Sequence, residues 1–150
     1  MKKLYLLVFL STFLTIGNAT AKDNISNLQR LKNMFQEVVI KKDSSLIPYY
    51  YSKDFIMYSN GVKENYIQFY QSHIKYYNTP IQYKVQFDNT ATMEKDDKVA
   101  ARIFITTQTL NTAPQKIEVI LIAQYKDNKI YRVWEVTDPD WSKMKEFKTK

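Results

Sequence analysis

The side chains able to do chemistry are few. The chain has no cysteine and a single histidine, His73. That excludes thiol nucleophiles, cysteine-ligated zinc and iron–sulfur sites, disulfide scaffolds and multi-histidine metal centres. Two glycines, Gly17 and Gly61, leave no glycine-rich phosphate loop. What remains is proton transfer and hydrogen bonding by carboxylates, one imidazole and twelve tyrosines. Glu135 follows Ile130-Tyr131-Arg132-Val133-Trp134. Among apolar neighbours an acid has its neutral form favoured and serves as a proton shuttle; at a pocket mouth it would pair with a lysine or with Arg102. His73 belongs to the aromatic stripe Tyr66, Phe69, His73, Tyr76. As a general base it needs a partner that fixes its tautomer; otherwise it is a packed histidine on an amphipathic helix. Asp138 precedes Pro139, a pair that forms turns at strand ends.

Periodicity indicates the elements that must position these residues. Ile25, Leu28, Leu31, Phe35, Val38 and Val39 fall at steps of three and four, which predicts a helix over 24–42 capped by Asp23 or Asn24. Asp43-Ser44-Ser45 ends it and opens a short second helix, which Pro48 limits. Phe55 to Tyr58 reads as extended and Ser59-Asn60-Gly61 as a turn. A third helix is expected over 63–77, with Ile67, Tyr70, Ile74 and Tyr77 beside the aromatic stripe, and Asn78-Thr79-Pro80 stops it. The period then becomes two: Ile81, Tyr83, Val85 and Phe87 alternate with polar residues. Strands follow over 98–109, 116–126 and 129–137, the last two joined by the two-residue turn Asp127-Asn128. Helices first and an antiparallel meander after them make an α+β fold, with helices on one face of a curved sheet.

In the last hairpin a two-residue loop sets Gln124 opposite Tyr131, Ile122 opposite Val133 and Ile120 opposite Glu135. Both faces are then largely apolar, unlike a sheet with one wet face. The expectation is that helices around a pocket cover one face and a second subunit the other.

The N-terminus carries Lys2 and Lys3, an apolar run from Leu4 to Ile16, and the small residues Ala19-Thr20-Ala21. The run is shorter than the roughly 20 residues a membrane span requires. The pattern is that of a cleaved secretory signal over 1–21, with a single domain over 22–150 in a periplasmic or secreted protein that keeps no stable membrane anchor. The formal charge of +7 loses two lysines with that segment, and only Arg30, Arg102 and Arg132 are arginines. With so few guanidinium groups for bidentate recognition, no nucleic-acid partner is expected.

Two stretches resemble a known family. Lys42-Asp43-Ser44-Ser45-Leu46-Ile47-Pro48-Tyr49-Tyr50-Tyr51-Ser52-Lys53-Asp54-Phe55 is similar to the helix–helix–strand opening of the nuclear transport factor two-like superfamily. Asp127-Asn128-Lys129-Ile130-Tyr131-Arg132-Val133-Trp134-Glu135-Val136-Thr137-Asp138-Pro139 resembles the last hairpin of its SnoaL-like branch. The resemblance implies a cone-shaped sheet wrapped around an apolar cavity, often dimeric through the sheet, with no cofactor and no metal. It implies acid or base roles for Glu135 and Asp138, and makes Tyr58, Tyr70, Tyr77, Arg102 and Trp134 the candidate ligand contacts. The branch often places a histidine two residues before the last-strand acid, where this chain has Val133. It often carries an acid and an arginine on the preceding strand, which here is apolar from Val119 to Ala123. Those departures put non-catalytic binding of a small apolar ligand or a protein partner first. The alternatives are an isomerase, cyclase or dehydratase in which Glu135 or Asp138 moves a proton while His73 or a tyrosine stabilises an oxyanion, and a subunit of a cell-envelope assembly.

Overall fold

The computed structural model describes residues 25–110 and 112–147. The signal expected over 1–21 and the caps expected from Asp23 or Asn24 lie outside them. Helix α1 (Asn27–Met34) runs on as a π-helix over Phe35–Ile40. Its start is tied twice. Ser26 Oγ accepts from Gln29 N at 3.1 Å, and the Glu94 carboxylate accepts from Asn27 N and Leu28 N at 2.8 and 3.0 Å. A carboxylate on the free N–H groups of a helix start is favoured by the helix dipole. This one comes from a distant strand, so it also anchors the helix to the sheet. Helix α2 (Ile47–Tyr50) is one turn, with Pro48 in its first turn, where the missing N–H costs nothing.

Strand β1 (Tyr51–Ser59) turns through Asn60 and Gly61, both at positive φ, into β2 (Val62–Asn65). Helix α3 (Tyr66–Tyr77) therefore starts later than the periodicity suggested. Residues 62–65 pair with β1 instead, and Asn65 with Gln68 closes a capping box. Strands β3 (Gln82–Lys95), β4 (Lys98–Gln108), β5 (Gln115–Lys126) and β6 (Lys129–Asp138) complete the fold as a meander.

The six strands form one curved, unclosed sheet in the order β2-β1-β6-β5-β4-β3. It is mixed, not antiparallel throughout, because β1 lies parallel to β6. A parallel pair between the first strand and the last needs the long intervening chain as its crossover, and no local pattern announces it. In β3 the pairing jumps from Phe87–Ile103 to Thr92–Ala101, so several β3 residues face a single β4 position and the strand bends there.

A bulge in β6 decides which of its side chains face inward. The turn at Asp127-Asn128 has φ of 52° and 61°, as a two-residue hairpin turn requires, and Tyr125 pairs with Ile130. The register then shifts, so that Gln124 faces Arg132 where Tyr131 was expected. Beyond the bulge Val133 pairs with Ala123, and Glu135 with Leu121. The faces expected from an unbulged hairpin therefore mix two surfaces. Val119, Leu121, Ala123, Tyr125, Ile130 and Val133 share the buried inner face, while Ile120, Ile122, Trp134 and Val136 are on the outer one. The core lies between this inner face and helices α1 and α3, with Phe55, Leu31, Ile47, Ile103 and Ile130 among its fully buried side chains.

Candidate functional site

The concave side of the sheet and the helices enclose a cavity of about 150 Å³. Its walls are Leu31, Met34 and Phe35 of α1 and its extension, Phe69 of α3, and inner-face residues of β1, β4, β5 and β6. Trp141 and Phe147, from the turns after β6, close one side with Tyr76. These three rings meet edge to face at 5.4–6.0 Å, the arrangement their quadrupoles favour. Among the described residues, no lysine or arginine lines the cavity.

Glu135 is the one acid in the cavity wall among the described residues. Its Oε1 accepts from Ser59 Oγ at 2.7 Å, and Ser59 Oγ in turn accepts from the Trp141 indole N–H at 3.1 Å. Ser59 is buried at the end of β1, so its hydroxyl takes a hydrogen bond from the indole and gives its own to the carboxyl. Removal from water raises the carboxyl's pKa above the ordinary glutamate range. The donors Ser59 and Trp141 pull it back in part, and the nearby negative charge of Glu64 adds to the rise.

His73 lines the same cavity, packed against the Phe69 ring at a centroid distance of 3.9 Å. Its Nδ1 is 2.8 Å from the carbonyl oxygen of Phe69. A carbonyl only accepts, so the hydrogen is on Nδ1 and the imidazole is held as one neutral tautomer. Burial pushes its pKa down to about 4, against the small upward pull of that carbonyl. In that tautomer Nε2 carries a lone pair.

Three of the expected site residues thus meet in one cavity: Glu135, His73 and Tyr77. Glu135 and His73 share its wall without a hydrogen bond between them, each being bonded elsewhere. The other expected residues lie outside, for reasons of strand and helix parity. Tyr58 and Trp134 stack on the outer face, 6.2 Å apart and 5° from parallel. Arg102 is on the outer face of β4, paired with Glu118 at 2.7 Å and Asp88 at 3.2 Å, not with Glu135. Asp138 is exposed at the end of β6, opposite Glu118. Tyr70 stacks on Tyr66 at 5.9 Å and is not part of the cavity wall. With its N–H given to Phe69, the neutral His73 imidazole offers Nε2 as an acceptor and not as the donor an oxyanion needs.

Sequence reasoning missed Ser59, Trp141 and Thr107. Ser59 was read as part of a turn, although its even spacing from Phe55 and Met57 put it on the inner face. Thr107 is 1% exposed, lines the cavity, and its Oγ1 has no partner among the described residues. Trp141 follows the last strand, where no periodicity reaches it.

No protein-family model and no curated protein matches the chain by sequence. Solved structures do match by shape. IdmH from Streptomyces antibioticus, a proposed polyketide cyclase, superposes with a TM-score of 0.63 at 10% identity over 77% of this chain and 94% of that one. The chain has the nuclear transport factor two-like fold. A proposed isomerase from Rhodopseudomonas palustris matches with a TM-score of 0.65 at 10% identity, over 77% of this chain and 91% of that one. An epoxide hydrolase of the LEH-like type from M. tuberculosis matches at 0.64 and 9%, over 75% and 83%. At such identities the likeness is one of fold, and a fold hosts many chemistries.

Proposed function

We propose that this nuclear transport factor two-like protein binds a small, mostly apolar molecule in its cavity and that Glu135 moves a proton on it. The carrying observation is a carboxyl in an apolar wall, held by Ser59 and raised in pKa by burial. Such a group exchanges its proton nearer to neutral pH than a solvated glutamate does, which suits a general acid or base. The activities named for the neighbours of similar shape, cyclisation, isomerisation and epoxide hydrolysis, agree with this class of work. A second reading, binding without turnover, has its own support: Asp138 lies outside the cavity and His73 is a weak base, so Glu135 would act alone. The signal-like N-terminus supports action after export, and the apolar outer face supports a second copy packed against the sheet.

The test is proton exchange next to a carbonyl. Acetophenone and 4-hydroxyacetophenone are incubated with the protein in D2O, and loss of the methyl proton signal is followed by NMR. The expected result is accelerated exchange that drops about a hundredfold or more in Glu135→Gln, while the ketones still raise the melting temperature of both proteins. Binding without accelerated exchange in the wild type would leave the binding-only reading.

A further inference from the structure

We infer that the cavity selects a neutral, ring-sized ligand carrying a hydroxyl group, and that His73 is the residue that reads the hydroxyl. The inference rests on the ligand site proposed above and names what that site accepts.

The tautomer is the first ground. With Nδ1–H given to the Phe69 carbonyl at 2.8 Å, Nε2 has only a lone pair to offer. It has no hydrogen-bond partner among the described residues. Opposite it a ligand hydroxyl is attracted, whereas an ether or carbonyl oxygen would set lone pair against lone pair.

Thr107 adds no second reading group. Its hydroxyl is buried in the cavity wall without a partner among the described residues, and buried polar groups as a rule have one. Register separates it from the acid. Glu135 is level with Leu121 and, through it, with Ala101, six residues before Thr107 along β4. Covered by protein atoms, the Thr107 hydroxyl contributes to the wall and offers a ligand no hydrogen bond.

Charge and size complete the class. With no lysine or arginine among the described residues of the wall, a carboxylate or phosphate ligand would be desolvated without a counter-charge from them. A volume of about 150 Å³ matches the size of apolar cavity known to take benzene.

The probes are para-cresol, 4-methylanisole and para-toluate, titrated calorimetrically into the full chain. Cresol is expected to bind at least tenfold tighter than its methyl ether, and toluate more weakly than either. In His73→Phe the preference for cresol over the ether falls to within about twofold while the ether still binds. Because His73 is the one histidine in the chain, long-range 1H–15N spectra of the wild type show a single imidazole. They should give a protonated Nδ1 and a bare Nε2, with the Nε2 signal moving upfield on addition of cresol and not of the ether. That measurement decides the matter if the variant does not fold. Equal binding of cresol and ether, no binding of any of the three, a preference that survives in His73→Phe, or a hydrogen found on Nε2 would each overturn the inference. The exchange assay reads Glu135 independently, so either idea can fail without the other.

Discussion

Trp134 and Glu135 are chain neighbours on opposite faces of β6, and each occupies the place that simple hydrophobicity would give the other. The indole is on the outer face, 39% exposed, beside the exposed side chains of Ile120, Ile122 and Val136. The carboxyl is inside, among Leu121, Val133 and the aromatic closure. The inner face is covered by helices and its polar groups are individually placed: Glu135 on Ser59, His73 on Phe69, Thr107 with no partner among the described residues. On the outer face the polar groups pair with one another across strands, as Arg102 does with Glu118 and Asp88, in contact with water. The contrast teaches that apolar content does not distinguish a binding cavity from a docking surface. Enclosure does, because it turns a carboxyl, an imidazole and a hydroxyl into groups with altered proton affinities and unmet hydrogen bonds.

Five substitutions would break or sharpen this contrast. The largest effect is expected from Phe55→Ala on the inner side. Phe55 is 1% exposed and packs on Tyr51 and Phe69 at 4.9 and 4.8 Å, so truncation should cost about 3–5 kcal/mol in urea unfolding. A loss below about 1 kcal/mol would mean that the helices do not close tightly on the sheet.

Glu135→Gln comes next, and its sign depends on pH. Burial makes the native carboxyl hold its proton more tightly than the unfolded chain does. As pH rises through the ordinary glutamate range the unfolded state releases its proton first, so native stability is lost over that range and up to the raised native pKa. The glutamine variant lacks this loss. It should be the more stable protein at neutral pH, with the gap closing at pH values below the ordinary range. Parallel stability curves for the two proteins would place the carboxyl in water.

Thr107→Val should be smaller still. Replacing an unpartnered buried hydroxyl by a methyl of the same shape is neutral or stabilising, by up to about 1 kcal/mol in the ligand-free protein. Destabilisation beyond that would reveal a hydrogen bond that the threonine makes in solution.

The smallest effect on folding is expected outside. Ile120→Thr, at a position 51% exposed, should change monomer stability by no more than about 0.5 kcal/mol. If a second copy covers this face, Trp134→Lys lowers the sedimentation coefficient of the assembly to that of the monomer. An unchanged coefficient would remove the face from consideration as an interface.

Much of the architecture is local and therefore legible. The alternation from Ile81 to Phe87, the Asp127-Asn128 turn and the amphipathic α3 each depend on a few adjacent residues, and the α+β order comes from them. Resemblance of the last hairpin to SnoaL-like proteins directed attention to Glu135. The remainder depended on contacts that no window contains. One extra residue near Tyr131 reverses strand parity, so Ile120, the expected partner of Glu135, is on the other face and Leu121 takes its place. The same parity sets Tyr58 and Trp134 outside. Arg102, a candidate ligand contact and one of the partners weighed for an acid at a pocket mouth, belongs to the surface opposite the cavity.

By itself the sequence determined the chemical vocabulary: no thiol, one imidazole, a tyrosine-rich core and a single acid within the last strand's Ile130–Val136 run. Composition and period are properties of the chain, and folding does not alter them. The tertiary structure decided which of two apolar faces would close, which acid would be withdrawn from water, and which nitrogen of His73 would keep its hydrogen. Those outcomes depend on register, on a strand pair that spans the chain from β1 to β6, and on the desolvation that only an enclosed cavity produces.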